Sequence, residues 1–266
     1  MITRTFRAEL LKLRRPGVLV GGGATLVALT LLGTGLTFAT AKEAATVPRS
    51  GQFPPETFTK LSQPDGLTVG FGNAVFMIGI LVFVVFLTSA TLEYGQGTLR
   101  VLLARQPRRA ELLAGKAVAL LAATAAALIV AEAMSMAAAV ALAHLRGIGT
   151  ARWLGATALS HMAAQYDNAL LSCACYGLLG LTLGVVVRST PIALGIGLAW
   201  LLPVERILQN SWDGASHWLP GLVLGVIGSG GTATVTYRSA VAVAMAYVAV
   251  AVVAGAITFV RRDVTA

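Results

Sequence analysis

Charge is scarce in this chain. Only 12% of its 266 residues are Asp, Glu, Lys or Arg, against roughly 25% in a soluble globular domain. With 56% hydrophobic residues, this argues against a water-soluble fold, and no contiguous polar stretch is long enough for a soluble catalytic domain. Cysteine is nearly absent. Cys173 and Cys175 lie two positions apart in an apolar run, where a helix directs them about 200° apart, so a disulfide or metal pair is not expected. The histidines, His144, His161 and His217, fall outside the apolar runs, which removes the paired intramembrane histidines of a haem site. A phosphate-binding loop is also missing, since Gly115-Lys116 is followed by Ala117 and has Ala110 where the first glycine belongs. Ser160, His161 and Asp167 lack the context of a nucleophile elbow. No metal, cofactor or catalytic residue is expected in this chain.

What the sequence has is long apolar runs. They predict an all-α polytopic membrane protein, a single domain over 1–266, with six crossings near 17–41, 67–92, 117–142, 166–187, 192–227 and 240–260. Ala39-Thr40-Ala41 resembles a signal-peptidase site, but the run before it exceeds the usual h-region of about 7 to 15 residues and reads as a retained first span. Residues 1–16 space Ile2, Phe6, Leu10 and Leu13 helically, with Arg4, Arg7, Lys12, Arg14 and Arg15 over the remaining surface. This predicts an amphipathic helix on the inner leaflet, which also serves as a basic flank orienting the first span. The fifth crossing is interrupted by Pro203, Glu205 and Arg206 before a second apolar piece from Trp218 to Ile227, which reads as a broken, re-entrant outer hairpin. The stretch from Trp153 to Met162 is a continuation of the fourth span or an interfacial helix anchored by Trp153. The alanine-rich third span favours close packing against protein helices. With both ends inside, thirteen of the twenty Lys and Arg lie on inner segments, as the positive-inside bias requires.

The stretch from Glu93 to Arg109, EYGQGTLRVLLARQPRR, holds the most information. Gly95 and Gly97 loosen the end of the second span, Thr98 can cap a new helix and Pro107 ends or redirects it. Leu99, Leu102 and Leu103 share one face, while Arg100, Arg105, Arg108 and Arg109 are left for water or a partner. Such a helix suits either a surface that receives force from a soluble partner or one lying in the headgroups, and spacing alone does not separate the two.

This segment resembles the signature of the ABC transporter type-2 permease family, in which a glutamate ends the second span and a Gly-Thr-Leu-Arg-x-Leu-Leu run precedes proline and arginine. The Glu9-Leu10-Leu11-Lys12-Leu13 start, the Gly115-Lys116 entry to the third span, the Pro203-x-Glu205 break and the Arg262-Asp263-Val264-Thr265 end are similar to bacterial, particularly actinobacterial, members. The resemblance implies a permease subunit of an exporter in the bacterial plasma membrane, a homo- or heterodimer working with two copies of a separate ATPase that binds ATP and Mg. It implies a coupling element comprising Glu93, Gly97, Thr98, Leu99, Arg100, Leu102, Leu103, Arg105, Pro107 and Arg109. Phe6, Leu10, Lys12 and Arg14 would lie beside it on the inner leaflet. A different reading is a membrane immunity or scaffold protein that transports nothing itself.

Few ionisable residues enter the apolar runs. Glu132 in the third span costs about 2.5 to 3.5 kcal/mol on insertion scales. It serves a pathway or dimer interface, or is a protonated carboxyl bonded to a hydroxyl such as Ser135. Pro203, Glu205 and Arg206 form an outer gate, or the two charges pair with each other and with loosened backbone groups. Asp167, with Asn168, lines a pathway or caps the interface. A bundle this apolar favours a hydrophobic or amphipathic cargo.

Overall fold

The computed structural model describes residues 6, 8, 9, 11, 12, 16–42, 56–95, 109–212, 214–232 and 234–261. The helices are α1 (Pro16–Thr40), α2 (Phe58–Leu61), α3 (Gly66–Gly95), α4 (Arg109–Arg146), α5 (Ala156–Val187), α6 (Thr190–Ala199), α7 (Glu205–Ser211), α8 (Ala215–Trp218), α9 (Pro220–Gly228) and α10 (Tyr237–Arg261). A π-helical turn, Trp200–Val204, joins α6 to α7. Among the described residues, six helical stretches are long and apolar enough to cross a membrane, the fifth being Thr190–Ser211. The chain is an all-α, multi-pass membrane protein.

Helices dominate because a lipid-facing backbone must satisfy its polar groups within its own segment. The hydroxyls of α1 follow the same rule: Thr25, Thr30, Thr34, Thr37 and Thr40 each donate to the carbonyl four residues earlier, at 2.7–2.9 Å. Apolar side chains such as Val20, Ile129 and Val250 are exposed, as expected of faces that meet lipid rather than water.

The helices α3 and α5 form the most extensive contact and the centre of the bundle, with α1 and α4 on one flank and α9 and α10 on the other. Their approach depends on glycine. A Cβ at Gly180 would lie 2.3 Å from the Phe83 carbonyl oxygen, and one at Gly184 would lie 2.6 Å from that of Leu87, a small-xxx-small contact between membrane helices. The alanines of α4 line only part of its surface, and Ile129, Val130, Met134 and Val140 are exposed. Small residues bring α1 onto α3 as well, where a Cβ at Gly33 would lie 2.7 Å from Ala74 Cβ.

The basal end of the bundle gathers Glu9, Glu93, Lys116, Arg188 and Phe259. The distal end gathers Phe38, Leu61 and Trp153. At that distal end α4 runs one turn past its expected end and α5 begins at Ala156, well before its expected start, so Trp153–Met162 leads directly into the fourth span. Trp153 is not an interfacial anchor. It is 2% exposed, donates its indole N–H to the Leu61 carbonyl at 3.0 Å and stacks edge-on with Phe38. Arg146 secures the same cap by donating to the carbonyl of Ala41 at 2.9 Å.

Pro203 does not end the fifth helix. The π turn takes up the missing donor, the Glu205 N–H reaching back to the Trp200 carbonyl, and the helix continues to Ser211. The second apolar piece then returns as α9, which packs on α5. At the basal end Arg188 adopts φ 60° as the C-cap of α5, with Pro191 in the first turn of α6.

Candidate functional site

At the basal end a buried charge cluster joins three segments. Glu93 lies in the last turn of α3 and Lys116 two turns into α4, so the two helix ends on either side of the 96–108 connection face each other. The Lys116 ammonium donates to Glu93 Oε1 at 2.9 Å, to Glu9 Oε2 at 3.2 Å and to the Ser89 carbonyl at 3.1 Å. Lys12 donates to Glu93 Oε1 at 2.6 Å and to Glu9 Oε1 at 2.7 Å. The side chains of Glu9 and Lys116 are each 7% exposed and that of Glu93 12%. Two ammonium and two carboxylate groups thus neutralise one another; the Lys12 side chain is 43% exposed, but the Glu9–Lys116–Glu93 pairs are shielded from water, the condition under which a broken pair leaves a costly orphan. Burial pushes the Glu9 carboxyl up, but Lys116 and Lys12 outweigh it and hold the group below its ordinary 4.5. Burial pulls Lys12 down, and its bonds to Glu9 and Glu93 outweigh that, raising it above 10.5.

The expected coupling residues Gly97, Thr98, Leu99, Arg100, Leu102, Leu103, Arg105 and Pro107, together with Leu10 and Arg14, lie outside the described residues. Arg109 opens α4, and Phe6 is half-buried in the N-terminal segment, whose described residues 6, 8, 9, 11 and 12 are all helical. Above the cluster, a largely apolar cavity of about 180 Å³ opens between α4, α5 and α10, lined by Leu113, Ala117, Leu181, Thr182, Val252 and Gly255.

A second polar centre sits deep in the bundle. Glu205 has no exposed surface. Its carboxylate accepts the backbone N–H groups of Gly221 and Leu222, each at 2.9 Å, at the N-terminus of α9, where the helix dipole favours an anion. Tyr176 donates to the Gly221 carbonyl at 2.9 Å, tying the same turn to α5. Arg206 lies over the Phe76 ring at 5.1 Å and donates to Gln209 at 3.2 Å. Pro203 and Glu205 thus sit at the joint between α7 and α9, where the Glu205 carboxylate meets backbone N–H groups of α9.

Glu132 lies on α4 and Asp167 on α5, both apart from the second centre. Glu132 is 8% exposed, and its Oε1 has no hydrogen-bond partner. Ser135 does not serve it, because that hydroxyl bonds Thr34 at 2.7 Å. Asp167 is exposed on α5. Ser160 donates to the Thr157 carbonyl rather than to His161. His144, His161 and His217 are exposed, and among the described residues no group of three His, Cys, Asp or Glu side chains could hold a metal.

Glu9 and Lys116 were legible only as parts of short motifs, not as partners. The usable signal was one of opposite charge: an acid at the end of one span and a base at the start of the next must meet if the spans pack in antiparallel. Tyr176 and Gly221 gave no such signal. No protein-family model matches the chain, and no curated protein matches it.

Proposed function

We propose that this chain is the permease subunit of an ATP-driven ABC exporter of the type-2 kind, acting as a dimer with two copies of a separate ATPase. The observation that carries the reading is the Glu9–Lys12–Glu93–Lys116 cluster. A connection that takes force from a soluble motor must be framed rigidly, or the force dissipates in the frame rather than moving the spans. Here the helix before the connection, the helix after it and the N-terminal segment are locked together by buried charge pairs at the mouth of residues 96–108. The resemblance of the Glu93 to Arg109 stretch assigns the motor to an ATPase.

The basal end then faces the cytoplasm of a bacterial cell, with both termini inside and the coupling element seated in the ATPase cleft. Closure of the ATPases on ATP rocks the two membrane halves. The apolar cavity beside the cluster favours hydrophobic or amphipathic cargo.

The test begins with the genomic neighbour that encodes a phosphate-binding-loop protein, co-purified with this chain in lipid vesicles. The double variant Leu102→Asp with Arg105→Glu is expected to abolish stimulation of ATP hydrolysis and cargo efflux while the chain still inserts. Undiminished stimulation, or the absence of any co-purifying ATPase, overturns the reading. Protection of cells that persists with a catalytically dead ATPase would point instead to a scaffold or immunity protein.

A further inference from the structure

The cavity of about 180 Å³ between α4, α5 and α10 has a mouth and a back wall. Ala110 and Ala114 of α4 and Val252 of α10 line it and are exposed, whereas Gly255, also in its lining, is buried. A Cβ at Gly255 would lie 3.1 Å from Thr182 Cγ2, so α10 touches α5 at the back. Val118 and Val253, on the same two helices as the mouth, are exposed apolar side chains of the kind that meets lipid. An apolar cavity of about 150 Å³ stays dry and admits a hydrocarbon. What enters from the membrane is therefore a stretch of hydrocarbon chain, not water.

Two features of this cavity are not apolar. The first is a hydroxyl. Thr30, Thr34 and Thr124, buried in the spans, donate to the carbonyl four residues earlier, but among the described residues nothing bonds the Thr182 hydroxyl, which lines the cavity. A donor in apolar surroundings calls for an acceptor. The second is charge. Arg109 opens α4, Arg188 caps α5 and Arg261 closes α10, so each helix around the cavity carries an arginine at its basal end. They stand one, three and five residues beyond the lining residues Ala110, Val185 and Ala256. Against them, Glu111 is the acid in the first turn of α4. Arg188 lies over the Tyr94 ring at 5.0 Å, its Nε is buried without a hydrogen-bond partner, and it takes no part in the ion pairs of the neighbouring cluster. It stands six residues past Thr182, about 9 Å along the helix.

We propose that this cavity is a binding site for one acyl chain of an anionic glycerophospholipid. The order of groups along the site is the order along such a molecule: hydrocarbon in the cavity, an ester carbonyl accepting from Thr182, and the phosphate beyond it at the level of the three arginines. Free phosphate has no use for the cavity, and a zwitterionic lipid brings an ammonium group that the arginines repel. An attraction of arginines to an anionic surface would draw the same lipids, but it would not seat a chain between α4, α5 and α10. As a lipid held by the chain alone, this goes beyond the exporter reading and does not rest on it.

The test uses the purified full-length chain in phosphatidylcholine nanodiscs with no ATPase present. Each disc carries a trace of phosphatidylglycerol bearing a diazirine midway along one acyl chain, and labelled peptides are mapped by mass spectrometry after illumination. Label is expected within 178–185 and 252–256, at least about tenfold stronger than from the same probe with a phosphatidylcholine head. Arg188→Gln should reduce labelling by the phosphatidylglycerol probe about fivefold and leave the phosphatidylcholine probe unchanged. Thr182→Val, close in shape, should reduce labelling by the ester-linked probe but not by its ether-linked analogue. Ala114→Phe, at an exposed position in the mouth, should abolish label within the cavity. Label found only outside these segments, equal labelling by the two head groups, or wild-type labelling of Ala114→Phe overturns the proposal. Such a failure leaves ATPase co-purification untouched, and loss of co-purification leaves lipid labelling untouched, so the two readings fail separately.

Discussion

Glu132 and Glu205 are the same residue type in similar apolar surroundings, yet their carboxylates are treated in opposite ways. Glu205 is met by two backbone donors from α9 and by the positive end of that helix, while Glu132 Oε1 meets none. The difference lies sixteen residues downstream, at Gly221, and cannot be read from the residues around either acid. Gly221 also has to be glycine here, since a Cβ would lie 2.6 Å from Glu205 Oε2 and 2.9 Å from Leu201 Cδ2. Replacing Glu205 with alanine orphans two buried N–H groups, each worth about 1–3 kcal/mol. Glu205→Ala is therefore expected to destabilise the chain by about 3 kcal/mol or more, read as a lowered thermal midpoint in detergent. Glu205→Gln, which keeps one acceptor oxygen, should lose less. An alanine variant that melts with the wild type would show that the joint between α7 and α9 does not depend on this carboxylate.

For the elements, the N-terminal segment is held by charge, so its docking must follow pH. The Glu9 carboxyl is lowered in the fold, so its contribution is complete above the ordinary carboxylate range and is lost as pH falls through the lowered value. Lys12 is raised, so its contribution is complete below the ordinary lysine range and is lost as pH rises through the raised value. A dye on Ala8→Cys, an exposed position, should show constant high anisotropy from about pH 5 to 10 and fall on both sides of that window. Constant anisotropy down to pH 2 would mean that apolar contacts, not the cluster, hold the segment. The existence and order of the spans were legible because apolar runs of this length have one outcome in lipid. Their ends were not. Arg109–Arg146 overruns its apolar run mainly at the basal end, where Lys116 joins the charge cluster, and Ala156–Val187 overruns at the distal end, beside the cap around Trp153; both have tertiary surroundings with no local signature. Pro203 misled for a related reason: a π turn absorbs its missing donor without ending the helix.

At the scale of the whole molecule, the described residues arrange as a charged, locked basal end, a middle in which Glu132 Oε1 has no hydrogen-bond partner and an aromatic cap at the distal end. Of the residues that the sequence put forward for function, Lys12 and Glu93 come together in the cluster, and Pro203 and Glu205 share the joint. Glu132 is buried and Asp167 exposed. Individual acids in apolar runs are visible in a sequence, but their burial depends on how α4 and α5 rotate in the bundle, which composition does not specify. Orientation, by contrast, is a property of the entire chain, set by the excess of Lys and Arg on one side. If the proposed orientation holds, the distal cap faces outside the cell. Cys173 and Cys175 are buried and give a low labelling background, so single introduced cysteines report sidedness. Leu154 is 94% exposed at the distal end, and Ala110 is exposed at the basal end. Leu154→Cys should react with a membrane-impermeant maleimide in intact cells, and Ala110→Cys only after permeabilisation. The reverse pattern would put the cluster and the 96–108 connection outside, beyond the reach of any cytoplasmic ATPase, and would end the exporter reading whatever the cargo.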